Sequence, residues 1–283
     1  MKTDYTKNTI YWLFAVHCSL LLILFSSCQK VINLNLNSTA PVLVVVGTVT
    51  DQPGPPYTIN LTQTVNFDQD NTFPVVTGAL VTIADNVGNL EVLKYTSNGN
   101  YVSSILQGTP GRTYTLSVTS NGKNYSAVST MPPPVTIDTL VVDTTNSGFF
   151  TIGGGGSKTK HYSVIASVKD PAGIANYYRF VEQVNGITKS NIYIVSDAFQ
   201  DGQTITRRIA AGDTTIHTGD TITVSLQSVD KNVYEYFRTL NETLEQASGI
   251  QVASPANPET NLSNSALGYF NACAVRSKRV IVP

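Results

Sequence analysis

The stretch RTYTLSVTSNGKNYSAVST, Arg112–Thr130, contains two runs of alternating apolar and polar residues with Asn121 and Gly122 between them. Such alternation is typical of a β-strand with one buried face. Asn-Gly is favoured between two such runs because both central residues of a type I′ turn need a positive φ. The stretch therefore predicts a β-hairpin.

Five further runs of this kind precede the hairpin and extend the pattern towards the N-terminus. Turn signals separate the runs at Pro53–Pro56, Asn98–Asn100 and Pro110–Gly111. Short strands with a turn signal about every 8 to 12 residues are typical of a β-sandwich. We therefore predict a β-sandwich domain over residues 41–131. The five runs are VLVVVGTVT, YTINLTQTV, GALVTIAD, NLEVLKYT and NYVSSIL.

A proline-rich segment, Met131–Val135, ends this block. Three successive prolines disrupt helix and interior strand alike, so the segment marks a linker or a rigid corner. Strand-like runs then resume, and we predict a second β-rich domain over residues 132–283. These runs are HYSVIASVKD, ANYYRFVEQV, SNIYIVSD, TITVSLQSVD and the C-terminal SALGYFNACAVRSKRVIVP.

One amphipathic helix is predicted within the second block, near residues 230–247. Asp230 is placed to act as its N-cap and Gly249 to end it. Apolar residues recur at steps of three or four, which is the spacing of one helix face. They are Val233, Tyr236, Phe237, Leu240 and Leu244.

The N-terminus has the pattern of a secretory signal peptide. Lys2 and Lys7 outweigh Asp4, and Tyr11–Phe25 is a run of fifteen mostly apolar residues. A membrane-spanning helix needs roughly 20 apolar residues, so the run is too short to span. A basic start followed by a short apolar core instead predicts a cleaved leader over residues 1–27.

Cys28 follows the small pair Ser26-Ser27, and this arrangement resembles the lipobox of bacterial lipoproteins. The resemblance implies that Cys28 is acylated, for example with palmitate, and becomes the first residue of the mature chain. Stable anchoring takes two or more acyl chains, which a lipoprotein cysteine carries. We therefore expect a membrane anchor at Cys28 and a tether over residues 28–40. An ordinary signal peptide with an incidental cysteine is the alternative.

The composition excludes some classes of partner. Only 13% of the 283 residues are charged and the formal net charge is −1, so the chain offers no basic field for nucleic acid. After Cys28 the only cysteine is Cys273, which excludes an intramolecular disulfide in an acylated chain. Cys273 is predicted to be a small buried apolar residue.

The sequence shows no catalytic motif. After the predicted leader, His161 and His217 are the only histidines, and no G-x-S-x-G, H-E-x-x-H or paired C-x-x-C pattern occurs. The GGGGSKT stretch departs from a phosphate-binding loop because its glycines are contiguous and Ser157 precedes Lys158. We therefore predict that the protein is not an enzyme and needs no cofactor. A hydrolase that uses His161 or His217 with nearby carboxylates is the alternative.

Two aromatic pairs, Tyr177-Tyr178 and Tyr269-Phe270, contain the candidate ligand-binding residues. Aromatic rings can stack on sugars or anchor a partner. Adjacent residues on a strand face opposite sides, so one of each pair is expected in a core. The candidates are Tyr178, Tyr269 and Phe270, and the ligand itself is unknown.

Asp68 and Asp70, within the stretch NFDQDNTFP, are the candidate metal ligands. Calcium takes six to eight oxygen ligands, and this stretch lacks the Glu and Gly of the EF-hand loop. A solvated turn is therefore the favoured interpretation, and calcium binding is the alternative.

Several segments together resemble a family of Bacteroidota envelope lipoproteins known as domain of unknown function 4249. The segment Thr77–Tyr125 also resembles prealbumin-like domains, which implies an immunoglobulin- or prealbumin-like N-terminal sandwich. No catalytic residues follow from the family. The segments that carry the resemblance include CQKVINLNLN, PGPPYTINLTQTVNF, DPAGIANYYRF, GDTITVSLQSVDKNVYEYFRTLN and NPETNLSNSALGYFNA.

The resemblance also implies a location and a partner. Members of the family commonly occur beside TonB-dependent outer-membrane receptors. Triplets beginning at Asp138, Asp143, Asp213 and Asp220 resemble the O-glycosylation sequon of the phylum. Surface lipoproteins of this phylum often carry acidic residues after the anchor, whereas Gln29 and Lys30 follow Cys28 here. The sequence is therefore compatible with a location on either side of the outer membrane.

Our leading hypothesis is a noncatalytic, lipid-anchored binding protein of the outer membrane that assists a TonB-dependent receptor in nutrient uptake. The cell surface is one of the locations that this hypothesis allows. A structural or adhesive surface module is the second hypothesis.

Overall fold

The computed structural model describes residues 40–54, 56–66, 69–70, 72–147, 159–210, 215–247 and 257–283. Within these ranges, Ala40–Pro283 forms one compact unit. The predicted leader, the lipidation site Cys28, Asp68, the four-glycine stretch and Gly249 lie outside the described residues.

The described ranges contain sixteen strands and one helix, α1 (Lys231–Ala247). The strands are β1 (Leu43–Thr50), β2 (Thr58–Gln63), β3 (Leu80–Asp85), β4 (Leu90–Val92), β5 (Lys94–Tyr95), β6 (Asn100–Val102), β7 (Thr113–Ser120), β8 (Lys123–Thr130), β9 (Thr139–Ser147), β10 (Thr159–Lys169), β11 (Tyr177–Val184), β12 (Ile187–Thr188), β13 (Tyr193–Ser196), β14 (Thr204–Ile209), β15 (Thr221–Val229) and β16 (Leu267–Ile281).

The hairpin predicted around Asn121 and Gly122 is confirmed. β7 and β8 pair antiparallel, with Ser120 opposite Lys123. Asn121 and Gly122 have φ angles of 50° and 72°, as a two-residue turn of this type requires.

Two sheets enclose the first core. One is four-stranded, in the order β4-β3-β7-β8, and the other is the part of a large sheet that runs β16-β1-β2-β6-β5. Fully buried residues from both sheets, such as Val45, Ile59, Ile83 and Leu116, pack into one cluster. The predicted N-terminal β-sandwich and the mainly β fold class are confirmed.

A second core lies between the sheet β14-β10-β9 and the strands β12-β11-β15-β16 at the other end of the large sheet. Helix α1 covers the opposite face of that large sheet, where Val233 and Phe237 pack against Val229 and Cys273. The predicted second β-rich part with one amphipathic helix is therefore confirmed. Within the described residues, no helix has the length and apolarity needed to cross a membrane.

Strand β16 belongs to both sandwiches. Its first half, Leu267–Cys273, pairs parallel with β1, and its second half, from Ala274 to Ile281, pairs antiparallel with β15. Phe270 and Ala272 consequently lie in the first core. The division that we predicted at residues 131 and 132 thus separates the two cores only in part, because the last strand returns to the first sandwich.

Asp51 and Arg276 stabilise the point where β16 changes partner. Asp51 accepts hydrogen bonds from the Val275 amide at 2.8 Å and from the Arg276 guanidinium at 2.6 Å. Burial acts to raise the pKa of Asp51, but these two donors outweigh it and hold the pKa below its ordinary value. The carboxylate therefore stays ionised and fixes the end of β1 against β16.

Asp230 joins helix α1 to the first sandwich. Its Oδ1 accepts the Val233 amide at 2.9 Å, which is the N-cap bond that the sequence predicted. Its Oδ2 accepts the Ser129 hydroxyl and, at 3.1 Å, the Thr130 amide. One carboxylate thus caps the helix and holds its start beside β8.

Replacing Asp230 with alanine is expected to lower the free energy of unfolding by about 2 kcal/mol, because both the cap and the contacts with β8 disappear. Asp230→Ser is the matched control, since it keeps a capping oxygen but is too short to reach Ser129. Chemical denaturation followed by circular dichroism measures both variants. An alanine variant with the wild-type unfolding midpoint would contradict this role.

Candidate functional site

A cleft of about 350 Å³ lies beside β4, the last strand of the four-stranded sheet. One wall is β4 itself, and the other is the segment that leads from β6 to β7. The residues that line the cleft are Asn89, Leu90, Glu91, Ile105, Leu106, Gln107, Thr109 and Arg112.

Glu91 holds the second wall in place. β4 alternates, so Leu90 and Val92 point outward while Glu91 is buried. The Glu91 carboxylate accepts the Ser104 hydroxyl at 2.8 Å and the Leu106 amide at 2.7 Å, together with the amides of Ser104 and Ile105. Burial acts to raise the pKa of Glu91, but these donors outweigh it and hold the pKa below its ordinary value.

The Glu91→Gln variant is expected to lose about 2 kcal/mol of stability at neutral pH, because an amide replaces a carboxylate that accepts several N–H groups. The folded pKa lies below the ordinary value of 4.5, so the carboxylate stabilises the protein fully above that pH. This contribution declines as the pH falls through the folded pKa. Denaturation across an acidic pH series should therefore bring wild type and variant together. A constant difference between them down to the lowest pH would contradict this account.

Arg112 is the one cation among the described residues that line the cleft. Its Nη1 donates to Asp85 at 2.9 Å. The Arg112 side chain is 33% exposed, and the Asp85 side chain is 1% exposed. Burial acts to raise the pKa of Asp85, but bonds from Asn89 and Val87 and the charge of Arg112 outweigh it and lower the pKa. Asp85 thus positions Arg112 at the mouth of the cleft.

Two exposed apolar side chains lie among the mostly polar residues that line the cleft. Leu90 on the β4 wall is 64% exposed, and Ile105 on the second wall is 77% exposed. Both charged side chains of the lining, Glu91 and Arg112, are already engaged in bonds that hold the walls. This arrangement suits the binding of an uncharged or acidic group more than proton transfer.

The main chain of β4 has one edge with which no described strand pairs. β4 pairs antiparallel with β3, and the Leu93 amide donates to Val81 while the Asp85 amide donates to Asn89. Residues in an antiparallel strand alternate between bonding their neighbour and pointing away from it. The N–H and C=O groups of Leu90 and Val92 therefore point away from β3, along the cleft.

The three aromatic candidates do not line this cleft, and Tyr178 and Phe270 lie in different cores. Tyr178 lies in the second core and donates to Asp170 at 2.6 Å, and burial and this bond raise its pKa. Phe270 is fully buried in the first core. Tyr269 lies under α1, 4.8 Å from the ring of Tyr236. Neither Tyr178 nor Phe270 offers a ring face to a ligand.

Arg179 lies near Tyr269, and our reading of the sequence did not single it out. Its guanidinium stacks 4.1 Å from the centre of the Phe237 ring and donates to Gln227 at 3.0 Å. Burial lowers its pKa. A single Arg within the strand-like stretch YYRF gives no sign that a helix will cover it.

Three carboxylates outside the predicted metal site come close together. Asp170, Asp197 and Asp201 offer oxygens within 4.8 Å of one another. They accept the Gly202, Asn176 and Gly173 amides respectively, and so tie together two loops of the second sandwich. Three carboxylates supply fewer than the six to eight oxygens of a calcium site, although these are the described residues best placed to approach a cation. Asp70 is exposed.

The remaining reactive side chains are not arranged around the cleft. His217 is on the surface, with its Nδ1 3.8 Å from Asp220. His161 lies in β10 opposite Thr145, and its side chain is outside the described part of the chain. Cys273 is buried, and burial raises the pKa of its thiol to about 12, so it remains protonated at neutral pH.

The fold and the cleft define a mainly β protein of two sandwiches that share one strand. The chain belongs to the family described as domain of unknown function DUF4249, whose model matches residues 29–279, and the family resemblance is thereby confirmed. No curated protein matches the chain. Among solved structures, the selenomethionine-substituted chicken interferon gamma receptor alpha chain is similar with a TM-score of 0.19 and 8% identity, over 68% of this chain and 90% of that chain.

Proposed function

We propose that this protein is a noncatalytic, lipid-anchored binding protein of the bacterial outer membrane that assists a TonB-dependent receptor in nutrient uptake. The observation that carries the proposal is the cleft beside β4. Leu90 and Ile105 expose apolar area at the cleft, and the two charged side chains that line it are used to hold its walls. Such a site favours the capture of a partner or ligand over bond-making chemistry.

The lipobox-like sequence at Cys28 supports the proposed location. A diacylglyceryl group together with an amide-linked chain would supply the two or more acyl chains that stable anchoring needs. In the sequence, the predicted tether lies between Cys28 and β1.

Co-purification tests this function. Membranes that contain the wild-type protein and the neighbouring receptor are extracted with a mild detergent, and the tagged protein is recovered. We expect the receptor to accompany it. A Cys28→Ser variant, which lacks the acylated thiol, should lose membrane association and serves as the anchoring control. Recovery of the wild-type protein alone, with the receptor present in the same membranes, would contradict the proposal.

A structural or adhesive surface module is the second candidate, and one observation favours it. Phe199 is 96% exposed and Ile174 53% exposed, on the two loops that the three aspartates hold together. An exposed aromatic on a braced loop is suited to surface contact. A strain with Phe199→Ser that grows normally on every nutrient but loses attachment would favour this function.

A further inference from the structure

We infer that the free edge of β4 binds an extended segment of a partner protein as an added strand. The segment has apolar residues at alternate positions and a carboxylate or amide side chain that faces Arg112. This inference deepens the proposed binding function and rests on it, because it names the surface through which the partner is held.

The main chain of β4 specifies an extended polypeptide. Leu90 and Val92 direct their N–H and C=O groups away from β3, so together they offer two donors and two acceptors in the geometry of a sheet edge. Main-chain bonds of this kind give affinity in strand addition, and pockets for alternate side chains give specificity. The main-chain donors and acceptors recur at every second residue along this edge, and a small molecule would not match that spacing.

The opposite edge of the same sheet is covered by the chain itself. Ala127 of β8 forms a bridge with Leu262, and the Ser126 amide donates to Ser263 Oγ at 2.8 Å. Proteins commonly protect sheet edges by covering them or by placing Lys or Pro there. β4 contains neither residue, and no described strand pairs with its outer side. Apart from its short length, β4 therefore has none of these protections among the described residues.

An inward-pointing charge can also protect an edge, but Glu91 does not act in this way. Its carboxylate is occupied by the Ser104 hydroxyl and by the Ile105 and Leu106 amides, so an added strand would not have to desolvate it. Glu91 instead ties the second wall to β4. The cleft between the two walls is where an added strand would lie.

The side chains around the edge define the chemistry of the occupant. Leu90, Val92 and Ile105 supply exposed apolar area on either side of the strand position. Among the described residues that line the cleft, Arg112 is the one cation; it is partly exposed, whereas Glu91 is buried. Arg112 bonds Asp85 through Nη1, and its remaining N–H donors would favour a segment with a carboxylate or amide side chain that accepts from them. β4 has only three residues, so side-chain contacts must add to the main-chain bonds.

Binding of a defined peptide to the purified full chain tests the inference. The probe is a short synthetic peptide that alternates threonine with valine and carries one aspartate. Val92→Pro removes the outward N–H of Val92 without removing a bond to β3, and Val92→Thr is the matched control that keeps it. We expect saturable binding to wild type, at least about tenfold weaker binding to Val92→Pro, and a change within about threefold for Val92→Thr.

A second comparison does not depend on the folding of Val92→Pro. The same peptide, N-methylated at alternate residues, cannot form strand bonds on one edge and should bind wild type at least about tenfold more weakly. Lysine in place of aspartate should also weaken binding. Absence of saturable binding to wild type, or equal affinity of the methylated and unmethylated peptides, would overturn the inference. Neither result would contradict the proposed function, because co-purification with the receptor tests that function independently of peptide binding.

Discussion

Replacing Gly268 with alanine is expected to lower the free energy of unfolding by about 4 kcal/mol or more. Gly268 lies in β16 opposite Val45 of β1 and has a φ of +93°, which L side chains rarely adopt. A Cβ at this position would lie 2.0 Å from the Val45 carbonyl oxygen. Relief of that contact requires β16 to move away from β1, and the pairing that joins the last strand to the first sandwich would be disrupted.

Gly111→Ala is the matched control for this substitution. Gly111 has a φ of +84°, but a Cβ there would meet nothing within 4 Å. Its alanine variant should therefore lose only the conformational term, about 1 kcal/mol. Denaturant unfolding of the two variants separates the backbone term from the steric term. Equal losses in the two variants would contradict the close approach of β16 to β1.

The Asn261→Ala variant is expected to lose about 3 kcal/mol, because two buried main-chain groups would lose their partner. The Asn261 side chain hydrogen-bonds the main chain of the first half of β16 on the side where β15 does not pair with it, as a neighbouring strand would. Its side chain accepts the Phe270 amide at 3.0 Å and donates to the Phe270 carbonyl at 2.7 Å. Phe270 is fully buried, so water cannot replace these bonds.

Asn241→Ala controls for the loss of an asparagine side chain as such. Asn241 lies on the exposed side of α1 and donates to Glu245 at 2.7 Å. Its replacement should change stability by less than about 0.5 kcal/mol. Unfolding followed by tyrosine fluorescence compares the two variants. If Asn261→Ala were as stable as Asn241→Ala, Asn261 would not be the partner of the β16 edge.

Local patterns were sufficient to predict the hairpin at Asn121-Gly122 and the helix that Asp230 caps. In both, the residues that determine the structure are neighbours in the chain, so periodicity and turn chemistry report them directly. The dual role of β16 could not be predicted in this way. Val44 pairs with Leu267, and a parallel pairing over such a separation leaves no local signal.

The candidate binding residues were harder to predict for a related reason. The alternation rule indicated that one residue of each aromatic pair lies in a core, but it did not say which. The structure buries Tyr178 and Phe270, two of the three ligand candidates, and α1 covers the third, Tyr269, on the opposite face of the sheet. Glu91 stands in the run NLEVLKYT, where a charged residue between apolar neighbours normally faces solvent. Glu91 is buried because the segment after β6 supplies four hydrogen-bond donors to its carboxylate. That segment follows a strand of the other sheet, so the run that contains Glu91 gives no sign of it.

Hydrogen exchange at single residues in β4 tests the central claim most directly. It compares the purified protein with its complex with the receptor. The Leu90 and Val92 amides point outward, while the Leu93 amide is bonded to Val81 and serves as an internal reference. We expect Leu90 and Val92 to exchange rapidly in the free protein and to slow at least about tenfold in the complex, with Leu93 protected in both. Unchanged exchange at Leu90 and Val92 in a complex that is protected elsewhere, for example around Phe199, would contradict the account.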